Sequence, residues 1–154
     1  MIRVSISLFL LFFSCVAHSE VKLTHQNVSK FLEQMISVVN EKDADKLISF
    51  FSSDAKIHLD LPDNLGSKME LSLEKYKKIL KFGWGLQVKS FYEVRDIEIL
   101  INNKENTAIV KDLTIEHLEN DGKIIIASVA EETLEIVILN GKPKIISLYA
   151  KIRE

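Results

Sequence analysis

The chain has one cysteine, two prolines, five glycines and one tryptophan in 154 residues. A single thiol, Cys15, cannot build a disulfide framework, and it lies in a stretch expected to be removed, so cysteine catalysis is excluded as well. So little proline and glycine excludes a collagen-like or low-complexity chain. Excess positive charge is also missing: the formal net charge is -2, with no basic face for a phosphate backbone, which excludes nucleic acid as a partner. Lys75, Lys77, Lys78 and Lys81 do fall together, but on a predicted helix beside Glu74, the pattern of a solvated face. The four histidines, His18, His25, His58 and His117, have no ligand spacing, so no metal site is expected. No Gly-rich phosphate loop or exposed-serine elbow occurs, and no cofactor is expected. What is present, 47% hydrophobic and 27% charged residues, is the balance of one folded domain able to bury a core without staples.

The first nineteen residues differ in kind. Arg3 is the only charge before Glu20, an apolar run covers Val4 to Phe13, and Ala17-His18-Ser19 puts small residues where a signal peptidase reads. The expectation is a signal peptide over 1–19, a single domain over 20–154, and an exported protein, periplasmic or secreted. Cleavage removes Arg3 and no acid, moving the charge from -2 to -3. The run is shorter than the roughly 20 residues of a bilayer span, so no stable membrane span is expected. Lipidation of Cys15 is the alternative, although Phe12 and Phe13 stand where that pattern wants Leu and a small residue.

Beyond the leader, apolar spacing of three and four predicts a helix over Asn27 to Asn40 with Asn27 as its cap. A second is predicted over Asp43 to Phe51, capped by Asp43, and a third over Ser72 to Phe82, capped by Ser72 and ended by Gly83. Ala55 to Leu61 alternates as a strand, and Pro62 to Gly66 reads as a loop. After Trp84 the period becomes two, with β runs over Phe91–Ile101, Thr107–Leu118, Lys123–Glu135 and Lys144–Ile152, broken at Asn102-Asn103, Asn120-Asp121-Gly122 and Asn140-Gly141. Asn140-Gly141 suits a tight turn, so Ser128 to Ile152 forms a long hairpin. One face holds Leu134, Ile136 and Ile138 with Ile146, Leu148, Ala150 and Ile152. Its second face carries Val137, Leu139, Ile145 and Tyr149, an apolar patch suited to a homodimer or to packing on the rest of the chain. The order predicts an α+β fold with three N-terminal helices packed on a curved antiparallel sheet.

The helix from Val28 to Asn40, the phrase DADKLISFFSSDAKIHL at 43–59, LSLEKYKKIL at 71–80 and EETLEIVILNGKPKIISLY at 131–149 together resemble the nuclear transport factor 2-like superfamily. That cone-shaped fold is shared by ketosteroid isomerases, scytalone dehydratase and polyketide-cyclase-like proteins; other helix-on-sheet folds, the cystatin-like among them, show a similar order. The resemblance implies a pocket between helices and concave sheet, and homodimers through the other sheet face. The ketosteroid-isomerase branch implies a Tyr on the first helix as an oxyanion donor. Phe31 stands there and cannot donate, so no catalytic residue is carried over.

Among residues suited to pocket chemistry, His58 and Asp60 project from one side of a strand, where a carboxylate can orient an imidazole or act as a base. The plain alternative is a solvated strand face. Tyr76 and Trp84 are candidate ligand-binding residues that suit a core equally well. The row Asp112, Thr114, Glu116 points into the cone if Ala108 and Val110 face the interior, and to water if Ile109, Leu113 and Ile115 mark the buried face; the larger apolar set favours water. His117 then points inward with Ile115, as a ligand-binding candidate or a structural histidine. These readings point first to a non-catalytic exported domain that binds a small apolar ligand or an envelope protein. A lyase, isomerase or hydrolase using Asp/His acid–base chemistry is the alternative, and an inhibitor or immunity protein the third.

Overall fold

The computed structural model describes residues 21–62, 68–86 and 89–153, with the backbone alone at Asn120. The expected leader, including Cys15, lies outside the described residues, as does most of the expected loop at Pro62 to Gly66.

Helix α1 spans His25–Asn40. Its cap is Thr24, not Asn27; the Thr24 side chain accepts from the Asn27 backbone N–H and Asn27 Oδ1 accepts from the Thr24 N–H, a reciprocal capping box. Helix α2 is short, Ala44–Ile48, with Asp43 as its cap. Phe51, expected on that helix, instead opens strand β1, Phe51–Asp60, and a short β2, Met69–Leu71, pairs with it. Helix α3 follows over Leu73–Gly85, capped by Ser72. The helices are therefore not all N-terminal: two strands precede α3. Strands β3 (Lys89–Asn102), β4 (Thr107–Asn120), β5 (Lys123–Leu139) and β6 (Lys142–Arg153) complete the chain.

The six strands make one curved sheet in the order β2-β1-β6-β5-β4-β3, antiparallel throughout except that β1 runs parallel to β6. Asn140 and Gly141, with φ of 51° and 73°, close β5 onto β6, the positive angles expected of a two-residue hairpin. An irregularity where Glu135 faces Ser147 and Ile136 faces Ile145 leaves Ile146 as the extra residue. That corrects the expected face of β6: Ile145 is fully buried beside Leu148 and Ala150, while Ile146 is only partly covered. Val28, Phe31 and Leu32 of α1 share the core with Ile57, Ala108, Val110, Leu134, Ile136 and Ile145.

Candidate functional site

Strand parity decides what the concave face presents. On β4, Ala108 and Val110 are completely buried in the core shared with α1. Asp112, Thr114 and Glu116 follow on the same face. The expectation that this row faces water is thus overturned. The small Ala108 and Val110 fit beneath the helix and join the main core, whereas on the opposite face Ile109 and Leu113 are half-buried and Ile115 is buried outside that core, so apolar bulk was a poor guide to which face the helix covers. On β5, Leu134 and Ile136 are buried, and two residues before Leu134 the same parity puts Glu132 opposite Asp112. Directly opposed residues have Cβ atoms about 4.5–5.5 Å apart.

These two carboxyls and Thr114 line a cavity of about 110 Å³ whose other walls are mostly apolar, among them Met35 and Val39 of α1, Leu80 and Trp84 of α3, and Val94 of β3. A wider vestibule of about 440 Å³ adjoins it, and Tyr76, Leu80, Trp84, Tyr92, Glu132 and Leu148 line both. Burial pushes Asp112 up to about 6. Glu132 is raised to about 8, first by burial and then by the charge of Asp112. The Thr114 hydroxyl, which donates to Asp112 Oδ1 at 3.3 Å, offsets part of both rises. At neutral pH the pair therefore carries one proton, giving a donor and an acceptor side by side. Burial, with Glu132 and Tyr92 nearby, holds the Tyr76 phenol far above its ordinary value, so it remains a neutral hydroxyl.

A hydrogen-bonded chain crosses the boundary between cavity and vestibule. Trp84 Nε1–H donates to Tyr92 Oη at 3.0 Å, Tyr92 O–H donates to Glu116 Oε1 at 3.0 Å, and Ser128 Oγ donates to Glu116 Oε2 at 3.3 Å. Burial is the first cause that pushes Tyr92 up to about 12. Its inward position depends on a bulge in β3. Pairing skips between Arg95 and Glu98, Asp96 takes φ 52°, and the inward set changes from Tyr92 and Val94 to Ile99 and Ile101. Asn40 at the end of α1 fixes this segment: the Tyr92 N–H donates to Asn40 Oδ1 at 2.8 Å, and Asn40 Nδ2 donates to the Tyr92 carbonyl at 3.1 Å.

Of the residues singled out in the sequence, Tyr76 and Trp84 line both chambers. His117 lines neither. Contrary to its expected inward orientation, it sits on the opposite sheet face, stacked on Phe91 with ring centroids 4.6 Å apart and with Nε2 3.1 Å from Glu93 Oε2. Glu93 is lowered by its bond with Arg95 first and with His117 second. His58 and Asp60 also lie away from the cavity lining: His58 Nδ1 is 4.0 Å from Glu70 Oε2, and Asp60 accepts from the Tyr149 hydroxyl at 3.0 Å. Phe31 belongs to the core, edge-on to Phe50 at 5.2 Å. Sequence reasoning weighed an inward Asp112 and set it aside, and it missed Glu132 and Tyr92 as cavity residues. For Glu132 a signal existed, since the buried parity of Leu134 and Ile136 extends to it. Among the described residues no group of three His, Cys, Asp or Glu side chains is placed to hold a metal ion.

No protein-family profile matches the sequence, and no curated protein matches it. Solved structures do. The chain is similar to the β subunit of benzoate 1,2-dioxygenase from Burkholderia mallei, with 14% identity and a TM-score of 0.67 over 85% of this chain and 91% of that one. A protein from Novosphingobium aromaticivorans assigned as a scytalone dehydratase gives 13% identity and a TM-score of 0.63, covering 84% of this chain and 83% of the other. A Nostoc punctiforme protein with a cystatin-like fold also gives 13% identity and a TM-score of 0.63, over 86% and 95%. At these identities the likeness is one of fold, and the chain has the nuclear transport factor 2-like, cystatin-like cone fold.

Proposed function

We propose that this is an exported protein whose cone binds a small, largely apolar molecule and holds one polar group of it against Asp112 and Glu132. The observation that carries the reading is the carboxyl pair facing a mostly apolar cavity. Two facing acids are unfavourable for packing alone, because burial raises both and each opposes ionisation of the other. They gain a use when a ligand oxygen accepts from the protonated carboxyl and a ligand hydroxyl or N–H donates to the ionised one. Tyr76 and Tyr92 add neutral phenols along the wall, and Trp84 adds a flat apolar surface.

The same pair favours a second reading, proton transfer on the bound molecule as in an isomerase, lyase or hydrolase. A base and an acid poised near 6 and 8 are matched to neutral pH. One of the similar structures is assigned as a scytalone dehydratase and another is a dioxygenase subunit, so the fold accommodates more than one use.

Native mass spectrometry of the protein recovered from the exported compartment, compared with the same sample denatured, tests both export and binding. The expected results are a chain beginning at Glu20 and an extra mass that leaves on denaturation. That extra mass should be absent from a cavity-filling Val94→Trp variant. A bare parent protein overturns the pocket reading. If the released molecule turns over with the parent but not with Asp112→Asn or Glu132→Gln, the catalytic reading replaces simple binding.

A further inference from the structure

Among the described residues, six large apolar side chains left open to solvent lie at one end of the cone. The inner stripe of α3, Tyr76, Leu80 and Trp84, packs on the core, whereas its outer side leaves Ile79, Phe82 and Leu86 uncovered, Phe82 by 73%. The β4–β5 hairpin carries three more in succession, Ile124, Ile125 and Ile126, exposed by 63, 48 and 62%.

The pairing places both features at the same end. Lys89, just beyond α3, pairs with Glu119, which pairs with Ile124. Ile125 stands opposite Leu118, and Leu118 lines the vestibule together with Ile79 and Leu86. Among the described residues, β6 pairs with β5 as far as Arg153, opposite Val129. Two apolar projections, one helical and one a hairpin tip, therefore flank the mouth of the vestibule.

Charge and shape identify what covers them. The chain is acidic overall, yet from Leu73 to Lys89 it carries Lys75, Lys77, Lys78, Lys81 and Lys89 against Glu74 alone. Lys77 and Lys81 are each held 2.7 Å from Asp45, and Lys89 lies 3.4 Å from Glu119 of the hairpin. Lys75 and Lys78 are exposed and lie at helical spacing from Ile79 and Phe82, with Lys78 only loosely paired to Glu74 at 3.8 Å. Lysines beside open Ile and Phe suit anionic headgroups above an acyl boundary. The hairpin tip adds a second argument. Successive strand residues point to opposite faces, so Ile124 and Ile126 project on one side and Ile125 on the other. A tip with open apolar side chains on both faces suits insertion at the headgroup and acyl boundary.

We propose that this end of the cone docks on an anionic phospholipid surface, with the outer side of α3 and the β4–β5 tip straddling the vestibule mouth. An apolar ligand then passes between bilayer and cavity without crossing water; that passage, unlike the docking, rests on the pocket reading above.

Sedimentation with vesicles of phosphatidylcholine and phosphatidylglycerol tests the docking. The parent protein is expected to pellet with the mixed vesicles, much less with phosphatidylcholine alone, and less again at high salt. Phe82→Glu and the pair Ile124→Glu with Ile126→Glu should each weaken pelleting by about tenfold or more. Lys75→Glu with Lys78→Glu should remove the preference for phosphatidylglycerol. All these positions are exposed, and circular dichroism verifies that each variant is folded. Every variant keeps the same N-terminus, so the differences report on this surface alone. Trp84, the only tryptophan, should be quenched by brominated lipid in the parent and not in the glutamate variants. Failure of the parent to pellet, pelleting of the glutamate variants equal to the parent, or capture of a protein partner by this surface with no vesicle binding overturns the proposal. A parent that carries ligand but ignores vesicles overturns the docking and leaves the pocket reading intact; one that pellets but never carries ligand does the reverse.

Discussion

Asp112 and Glu132 stand directly opposite each other on β4 and β5, two carboxyls facing the cavity from adjacent strands. Their separation along the chain, across a hairpin, explains why neither attracts notice as half of a pair. Their shared environment explains why both bind protons more tightly than free carboxyls.

Stability should therefore fall as the pH rises. Glu132 has a folded pKa of about 8 against an ordinary 4.5, so its favourable contribution is complete below 4.5 and is lost as the pH climbs through 8. Asp112 adds the same sign between 3.8 and about 6. At roughly 1.4 kcal/mol per unit of pKa, the two rises together set an upper bound of about 8 kcal/mol. Urea unfolding measured between about pH 4 and pH 9 should show this slope, and Glu132→Gln should flatten it and exceed the parent in stability at the alkaline end. A flat parent profile means that the carboxyls are solvated.

Tyr92→Phe removes both the acceptor for Trp84 Nε1–H and a donor to Glu116. The indole N–H left without its partner should cost about 1–3 kcal/mol. Because Trp84 is the sole tryptophan, a change in its emission should accompany the loss. Unchanged emission and stability would show that the indole finds water instead.

Asn40→Ala severs the two bonds that hold α1 against the backbone of Tyr92. A loss of about 1–2 kcal/mol is expected. Hydrogen exchange should quicken at the Tyr92 amide specifically, with the β5–β6 hairpin unaffected.

His58→Ala and Asp60→Asn make a control on the outer sheet face. Neither residue lines the cavity, so cavity ligand retained in native mass spectra should match the parent. Tyr149, raised first by its hydrogen bond to Asp60 and then by burial, should ionise at lower pH in Asp60→Asn, which ultraviolet titration reads directly. Loss of ligand in these variants would relocate the site to the outer face.

Local signals were legible in the sequence. Asp43 and Ser72 cap their helices because each side chain needs only a backbone N–H three residues on. Asp121-Gly122 and Asn140-Gly141 make their turns because those residue types tolerate positive φ. The change from a period near 3.6 to a period of 2 announced helices and then a meander, and the side placed on Leu134 and Ile136 follows from alternation alone.

Tertiary structure decided the rest. The parallel pairing of β1 with β6 joins segments more than ninety residues apart, Ile57 to Leu148, which no local pattern encodes. The bulges at Arg95–Glu98 and opposite Glu135–Ile136 each reverse the parity of a strand, so Tyr92 and Ile145 turn inward against the simple alternation. The sequence by itself determined most of the helices, strands and turns, because those choices rest on neighbouring residues; the start of β1 at Phe51 and the short β2 rest on sheet pairing instead. Which face of β4 looks into the cone was settled only when α1 covered Ala108 and Val110, and that covering is what enclosed Asp112 opposite Glu132.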